Sequence, residues 1–111
     1  MSIQESKIYK FRGGVWIGAW ATSWPFCILE VAHNFLAIHD EMLKRDLSFS
    51  KDEIVQIEIK KYIPVIGYGI KIKHTKKNYD SIVYFWYVSF RFNKLSNALT
   101  ELGWINVKSK Q

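Results

Sequence analysis

Cysteine is nearly absent: Cys27 is the one example in 111 residues. A lone cysteine forms no internal disulfide, which fits a reducing compartment, and it supplies no thiolate cluster for zinc. Its expected role is that of a small buried apolar side chain rather than a nucleophile. Proline (2) and glycine (6) are also sparse, so no linker or low-complexity tract interrupts the chain. No apolar run reaches the roughly 20 residues of a membrane span. The longest uncharged stretch, Gly13–Leu29, contains Thr22, Ser23 and Pro25 and reads better as two strands. The first twelve residues, MSIQESKIYKFR, are polar and mixed in charge, without the apolar centre of a signal peptide. These absences predict a cytoplasmic protein, with peripheral attachment to a membrane as the alternative.

Metal and phosphate motifs are missing as well. His33, His39 and His74 do not fall at metal-ligand spacing, and His39 with Asp40 and Glu41 reads as a polar turn before it reads as a surface metal site. Gly67-Tyr68-Gly69 lacks the Gly-Lys-Ser/Thr of a phosphate loop. The acids Asp40/Glu41 and Asp52/Glu53 read as solvated loop neighbours. No catalytic residue, metal, cofactor or small-molecule substrate is therefore expected.

What the chain does have is apolar and aromatic bulk, 49% and 16% of residues. That is enough for one core in one domain of this length. Residues 1–12 are expected as a flexible lead-in, 13–104 as the domain and 105–111 as a tail. The strand pattern starts with Val15–Trp24, where Val15, Ile17, Ala19 and Ala21 alternate with Trp16, Gly18, Trp20 and Thr22. Core packing is the expected use of Trp16, Trp20 and Trp24, with a stacking platform as the sharper reading. Pro25 is expected to break that strand. Phe26–Ala32 follows, then a turn at His33-Asn34, a return over Phe35–His39 and a turn at Asp40-Glu41. Met42–Phe49 is the next strand and Ser50–Glu53 the next turn.

Ile54–Ile59 alternates most cleanly, with Val55, Ile57 and Ile59 expected inside and Gln56, Glu58 and Lys60 outside. Tyr62–Tyr68 reads as a loop. Gly69–His74 points Ile70 and Ile72 inward, Lys71 and Lys73 outward, and places His74 in phase with the buried face. After a polar loop, Thr75–Ser81, a dense β run begins at Ile82 and includes Val83, Tyr84, Phe85, Trp86 and Tyr87. The period then becomes helical: Phe92, Leu95, Ala98, Leu99 and Leu102 form one stripe. Ser89, or else Asn93, is the expected cap. Gly103 is the expected stop and Trp104 a hydrophobic latch behind it. Six or seven antiparallel strands followed by one helix make a mainly β, α+β fold.

This order resembles the pleckstrin-homology superfold, and the local residues resemble small bacterial PH-like and GRAM-like domains. The likeness lies in Trp24-Pro25-Phe26 leading into Leu29–Val31, and in Phe49–Ile54 with Ile57 beyond. It continues in Gly67–His74, Val83–Trp86 and the ending Leu102-Gly103-Trp104. The resemblance implies a barrel of about seven antiparallel strands capped by one C-terminal amphipathic helix. It implies a non-catalytic module that binds a protein, assembles with itself or meets a lipid surface. The basic pattern that some relatives carry across the first hairpin loop for phosphoinositides is missing at His33-Asn34.

Charge supplies the remaining signal. Sixteen Lys and Arg against ten Asp and Glu give a formal net charge of +6. Between Glu58 and Lys77 lie Lys60, Lys61, Lys71, Lys73, Lys76 and Lys77, interleaved with Tyr62 and Tyr68 and followed by Tyr79. Convergent lysines would attract an anionic membrane, each contributing about 1 kcal/mol near the surface. The competing reading is a solvated face whose lysines prevent edge-to-edge pairing. Protein binding or self-association ranks first, an anionic lipid surface second and nucleic acid last. A carrier with a ligand between barrel and helix would need a deep apolar pocket.

Overall fold

Alternation with period two builds the molecule as far as Tyr87, and a period of 3.6 finishes it. The structure is a computed structural model that describes residues 7–62, 67–77, 79–87 and 92–105, with backbone alone at 60–62, 67–68 and 92–93. Its elements are β1 (Ile8–Ile17), β2 (Trp20–Ala32), β3 (Phe35–Asp40), β4 (Arg45–Ser50), a 3₁₀ turn (Lys51–Glu53), β5 (Ile54–Tyr62), β6 (Gly67–His74), β7 (Ile82–Tyr87) and α1 (Phe92–Glu101). The strands form one antiparallel sheet in the order β4-β3-β2-β1-β7-β6-β5, curled into a half-barrel. The expected mainly β architecture with one C-terminal helix is the observed one. No described helix is long and apolar enough to cross a membrane.

β1 carries the bend. It pairs with β2 along nearly its whole length but with β7 only at Gly14–Trp16. The sheet turns the corner at Gly13 and Gly14. A Cβ at Gly13 would meet the Trp86 carbonyl and the Phe85 ring, and one at Gly14 would meet the Trp86 indole. Only a residue without a side chain lets two backbones approach so closely. The pair lies inside a strand rather than before one, and β1 starts at Ile8, within the stretch expected as a lead-in.

Three further expectations change in this region. Val15–Trp24 is not one strand: the chain turns at Gly18-Ala19, so Ile17 pairs with Trp20 and Val15 with Thr22. Thr22 therefore faces the core and Ala21 faces out, the reverse of the expected phase. Pro25 does not end a strand either. It sits inside β2, after a cis peptide, in an irregularity where the register passes from Gly13↔Cys27 to Val15↔Thr22. β2 spends four residues there against one of β1, and a missing N–H is tolerated at a bulge. Met42 and Leu43 belong to the β3–β4 turn, because β4 begins only at Arg45.

The inner face of the sheet and one side of α1 form a single core. Val15, Cys27, Leu29, Val31, Leu36, Ile38, Ile70, Ile72, Val83, Phe85, Leu95 and Leu99 are fully enclosed. Trp16 and Trp24 are not part of it, at 52% and 47% exposure; only Trp20 packs against its rim. Core packing is thus the wrong reading for two of the three tryptophans. On β5, Ile57 and Ile59 face the core as expected, but Val55 is 62% exposed. A bulge between Ile54 and Gln56 turns Val55 out and leaves Ile54 as the packed neighbour.

α1 closes one end of the half-barrel through Leu95, Ala98, Leu99 and Leu102. Its last turn is a Schellman stop: Trp104 N–H donates to the Leu99 carbonyl and Gly103 N–H to that of Thr100, with Gly103 at φ +85°. Trp104 then latches on, its Nε1 donating to the Ala32 carbonyl at 2.7 Å. Lys51 Nζ caps the Leu102 carbonyl at 2.8 Å and lies over the Trp104 ring. Asn93 lies inside the helix and is not its cap. Ser89, the first candidate for that role, falls outside the described residues, as does most of the expected loop Tyr62–Tyr68.

Candidate interaction surface

The end away from α1 gathers the β1–β2 turn, the β2 bulge, the β3–β4 turn and the β6–β7 connection. Asp40 organises it. Its side chain points inward and is 2% exposed, against the expectation of a solvated acid. The carboxylate accepts hydrogen bonds from Thr22 Oγ1 (2.5 Å), Trp20 Nε1 (2.9 Å) and the backbone N–H groups of Met42 and Leu43 (3.0 Å each). Burial alone would raise its pKa; the bonds from Thr22, Leu43, Trp20 and Met42 outweigh that and hold it below the usual carboxylate range. A short acid with two acceptor oxygens thus ties β2 to the turn after β3.

That turn is tied to the bulge a second time. Glu41 N–H donates to the Phe26 carbonyl at 2.8 Å. Arg12 donates to the Pro25 carbonyl at 2.8 Å and to the Glu41 carboxylate at 3.0 Å. The result holds four large apolar side chains out in solvent: Trp24 at 47%, Phe26 at 38%, Met42 at 54% and Leu43 at 48%. Arg12 sits beside Pro25 and Glu41, Lys44 and Arg45 follow Leu43 in the chain and are exposed, and the Arg45 guanidinium lies 4.8 Å from the Trp20 ring centroid. Exposed apolar side chains gathered at one place, with a polar rim, are what an interaction site presents to a partner. Alternation could not reveal this group, because its members sit in a bulge and a turn.

Of the six candidate lysines, Lys71, Lys73, Lys76 and Lys77 have described side chains, and Lys76 is engaged apart from Lys71 and Lys73. Lys71 and Lys73 share the outer face of β6, where Lys71 lies between Glu58 of β5 and Tyr84 of β7. Lys76 is engaged elsewhere, donating to the Ser48 carbonyl (2.9 Å) and facing Glu53 (3.3 Å). Lys77 is exposed in the connection that follows. Lys60 pairs with Gly69 and Lys61 with Tyr68 in the backbone register, and the side chains of both lie outside the described residues. Tyr79 is half-buried against Phe49 and His74 and is not a surface ring.

The remaining titratable groups have structural surroundings. Cys27 is fully enclosed, and burial followed by the Asp40 charge pushes its thiol up to about 12. His39 does not join Asp40 and Glu41. It faces outward between Asp46 (Nδ1, 2.7 Å) and Glu30 (Nε2, 3.3 Å), while Asp40 faces in. The Asp46 bond, helped by Glu30 and opposed by partial burial, raises its pKa. His74 is buried as its phase predicts; burial pulls its pKa down, its Nδ1 accepts the Lys76 N–H, and its Nε2 has no described partner. Among the described residues, no group of three or more His, Cys, Asp or Glu is placed to hold a metal ion. A cleft of about 400 Å³ between β1 and α1 is lined by Tyr9, Lys10, Phe11, Lys94, Asn97, Ala98 and Glu101.

No protein-family model matches the chain, and no curated protein matches it. Among solved structures it is similar to the C-terminal domain of an unknown protein from Leishmania infantum. The two share 17% sequence identity over 85% of this chain and 80% of that one, with a TM-score of 0.62. A likeness at that identity is one of fold alone.

Proposed function

We propose that the chain is a PH-like, GRAM-like interaction module without catalytic activity, and that it docks a protein partner through the end formed by Trp24, Phe26, Met42 and Leu43. The strand order and the closing helix support the family reading. The observation that carries the functional one is the exposure of four large apolar side chains on two segments clamped by Asp40, Glu41 and Arg12. A clamped turn and bulge lose little conformational freedom on docking, so more of the contact energy is left for affinity. The test is chemical cross-linking in an extract of the protein's own cells, comparing the wild type with Met42→Ser/Leu43→Ser. These side chains are exposed, so the variant should fold with a stability within about 0.5 kcal/mol of the wild type. A specific partner should cross-link to the wild type and be lost from the variant; equal capture by both would refute the docking end.

A second reading has its own support. Met42 and Leu43 are followed directly by Lys44 and Arg45, and Lys73 and Lys77 are also exposed. Apolar side chains beside cations suit the surface of an anionic bilayer. Here the first hairpin is Gly18-Ala19 rather than His33-Asn34, and it too lacks Lys and Arg. Any lipid binding would therefore follow charge and not a specific headgroup. Co-sedimentation with neutral and anionic vesicles, at low and high salt, separates the readings. Binding to anionic vesicles alone, lost in salt and in Lys71→Glu/Lys73→Glu, would favour the membrane.

A further inference from the structure

A second cleft, of about 380 Å³, opens where the β1–β2 turn meets the start of β7. It is lined by Trp16, Gly18, Asp80, Ser81, Ile82 and Tyr84. Trp16 and Tyr84 are register partners, with ring centroids 5.6 Å apart and planes tilted by 34°. Trp16 is exposed although Val15 and Ile17 on either side of it are buried. Its ring is also held in place, because Nε1 donates to the Gly18 carbonyl at 3.0 Å. The polar edge of the indole is therefore satisfied within the chain, and what it offers a ligand is ring surface. Asp80 is exposed in the connection just before β7, and its carboxylate lies against Gly18. Gly18 makes room for it: a Cβ at that residue, which has φ +60°, would meet the carboxylate. Glu30, Glu41, Glu53 and Glu101 each face a Lys or Arg of the chain. Among the described residues the Asp80 carboxylate accepts no hydrogen bond and forms no ion pair.

We propose that this cleft binds a guanidinium group, the head of an arginine. The site is complementary to a cation. Asp80 is the charged residue of its lining, while Lys71 and Lys73 stand on β6, across the register from Tyr84 and Ile82. A guanidinium is planar and weakly hydrated. It can lie on an aromatic face while the N–H groups along its edge fork onto a carboxylate. The compact, strongly hydrated ammonium of lysine lacks that flat face and fork. An apolar ligand would cover Asp80 without pairing it, and an anion would meet its charge. The chain makes half of such a contact itself, where the Arg45 guanidinium lies over the Trp20 ring. The cleft includes none of Trp24, Phe26, Met42 and Leu43, so it stands or falls apart from the docking end.

Proton–nitrogen NMR tests the idea with N-acetylarginine amide, its lysine counterpart and its citrulline counterpart, which keeps the planar shape without the charge. The Trp16 indole signal is identified as the one missing from Trp16→Phe. It should move on addition of the arginine compound, with a dissociation constant on the order of a millimolar. The lysine and citrulline compounds should bind at least about fivefold more weakly. Asp80→Asn should weaken arginine binding at least about fivefold. Asp80 is exposed, so the rest of that variant's spectrum should stay in place. Free arginine distinguishes the sources: tighter binding of the amide assigns the group to a protein side chain, and tighter binding of free arginine assigns it to the amino acid. Either result supports the guanidinium site. A Trp16 signal that does not move overturns it. So does a lysine or citrulline compound that binds as well as the arginine one, or an Asp80→Asn protein that binds arginine like the wild type.

Discussion

Asp40 shows how much one side chain can hold. Asp40→Ala strands the Trp20 indole N–H, the Thr22 hydroxyl and two backbone N–H groups. Unsatisfied buried donors cost about 1–3 kcal/mol each before water rescues some of them. We expect a loss of about 3 kcal/mol in urea unfolding and faster hydrogen exchange at Met42 and Leu43. The two structured histidines act in opposite directions with pH. His39 has a raised pKa, so its contribution is complete below the unfolded value of about 6.5 and is lost as pH rises through the folded value. His74 has a lowered pKa, so its contribution is complete above about 6.5 and is lost as pH falls through the folded value. Melting temperature against pH should accordingly decline less on the alkaline side in His39→Gln, and less on the acid side in His74→Asn. Parallel curves for wild type and both variants would contradict these assignments. The burial of His74 was legible from alternation, since it falls in phase with Ile70 and Ile72, and that of Cys27 from its residue type. Asp40 was not, because its burial depends on Thr22 and Trp20, 18 and 20 residues away.

At the scale of elements, α1 is a plug whose apolar stripe and stop both matter. Leu99→Ala opens a cavity in a fully enclosed position and should cost about 2–5 kcal/mol. Gly103→Ala places a Cβ at φ +85° and against Lys51 Nζ, and should cost about 1–2 kcal/mol. Urea unfolding measures both, and a Gly103→Ala protein as stable as the wild type would remove the Schellman stop from the account. The helix was readable because its period differs from the strands before it and because Gly103 marks its end. β6 was readable from period two, β7 from its dense run of β-forming residues and β3 from the turn signals on either side of it. The β1–β2 turn was not. Gly18-Ala19 lies inside a run of tryptophans and small residues with no polar punctuation, whereas Pro25, the obvious breaker, is absorbed by a bulge. Val55 failed for the same reason: one inserted residue reverses the face that alternation assigns.

For the whole molecule, closure and exposure are distributed unevenly. α1 covers one end and the β6–β7 connection seals β4; among the described residues the Trp24–Leu43 end and the outer side of β5 are uncovered. The chain carries a net charge of +6, and of the six candidate lysines Lys76 is tied to β4. Neither open surface was legible in the sequence: one is made by a bulge and a turn brought together, the other by a sheet order that leaves β5 last. The most direct measurement is cross-linking capture of a partner at matched concentrations of folded protein. It compares the wild type with a loop-end variant carrying Trp24→Ser, Phe26→Ser, Met42→Ser and Leu43→Ser. The wild type should hold the partner, and the loop-end variant should lose it. Retention of that partner by the loop-end variant would contradict the assignment of this end as the docking surface.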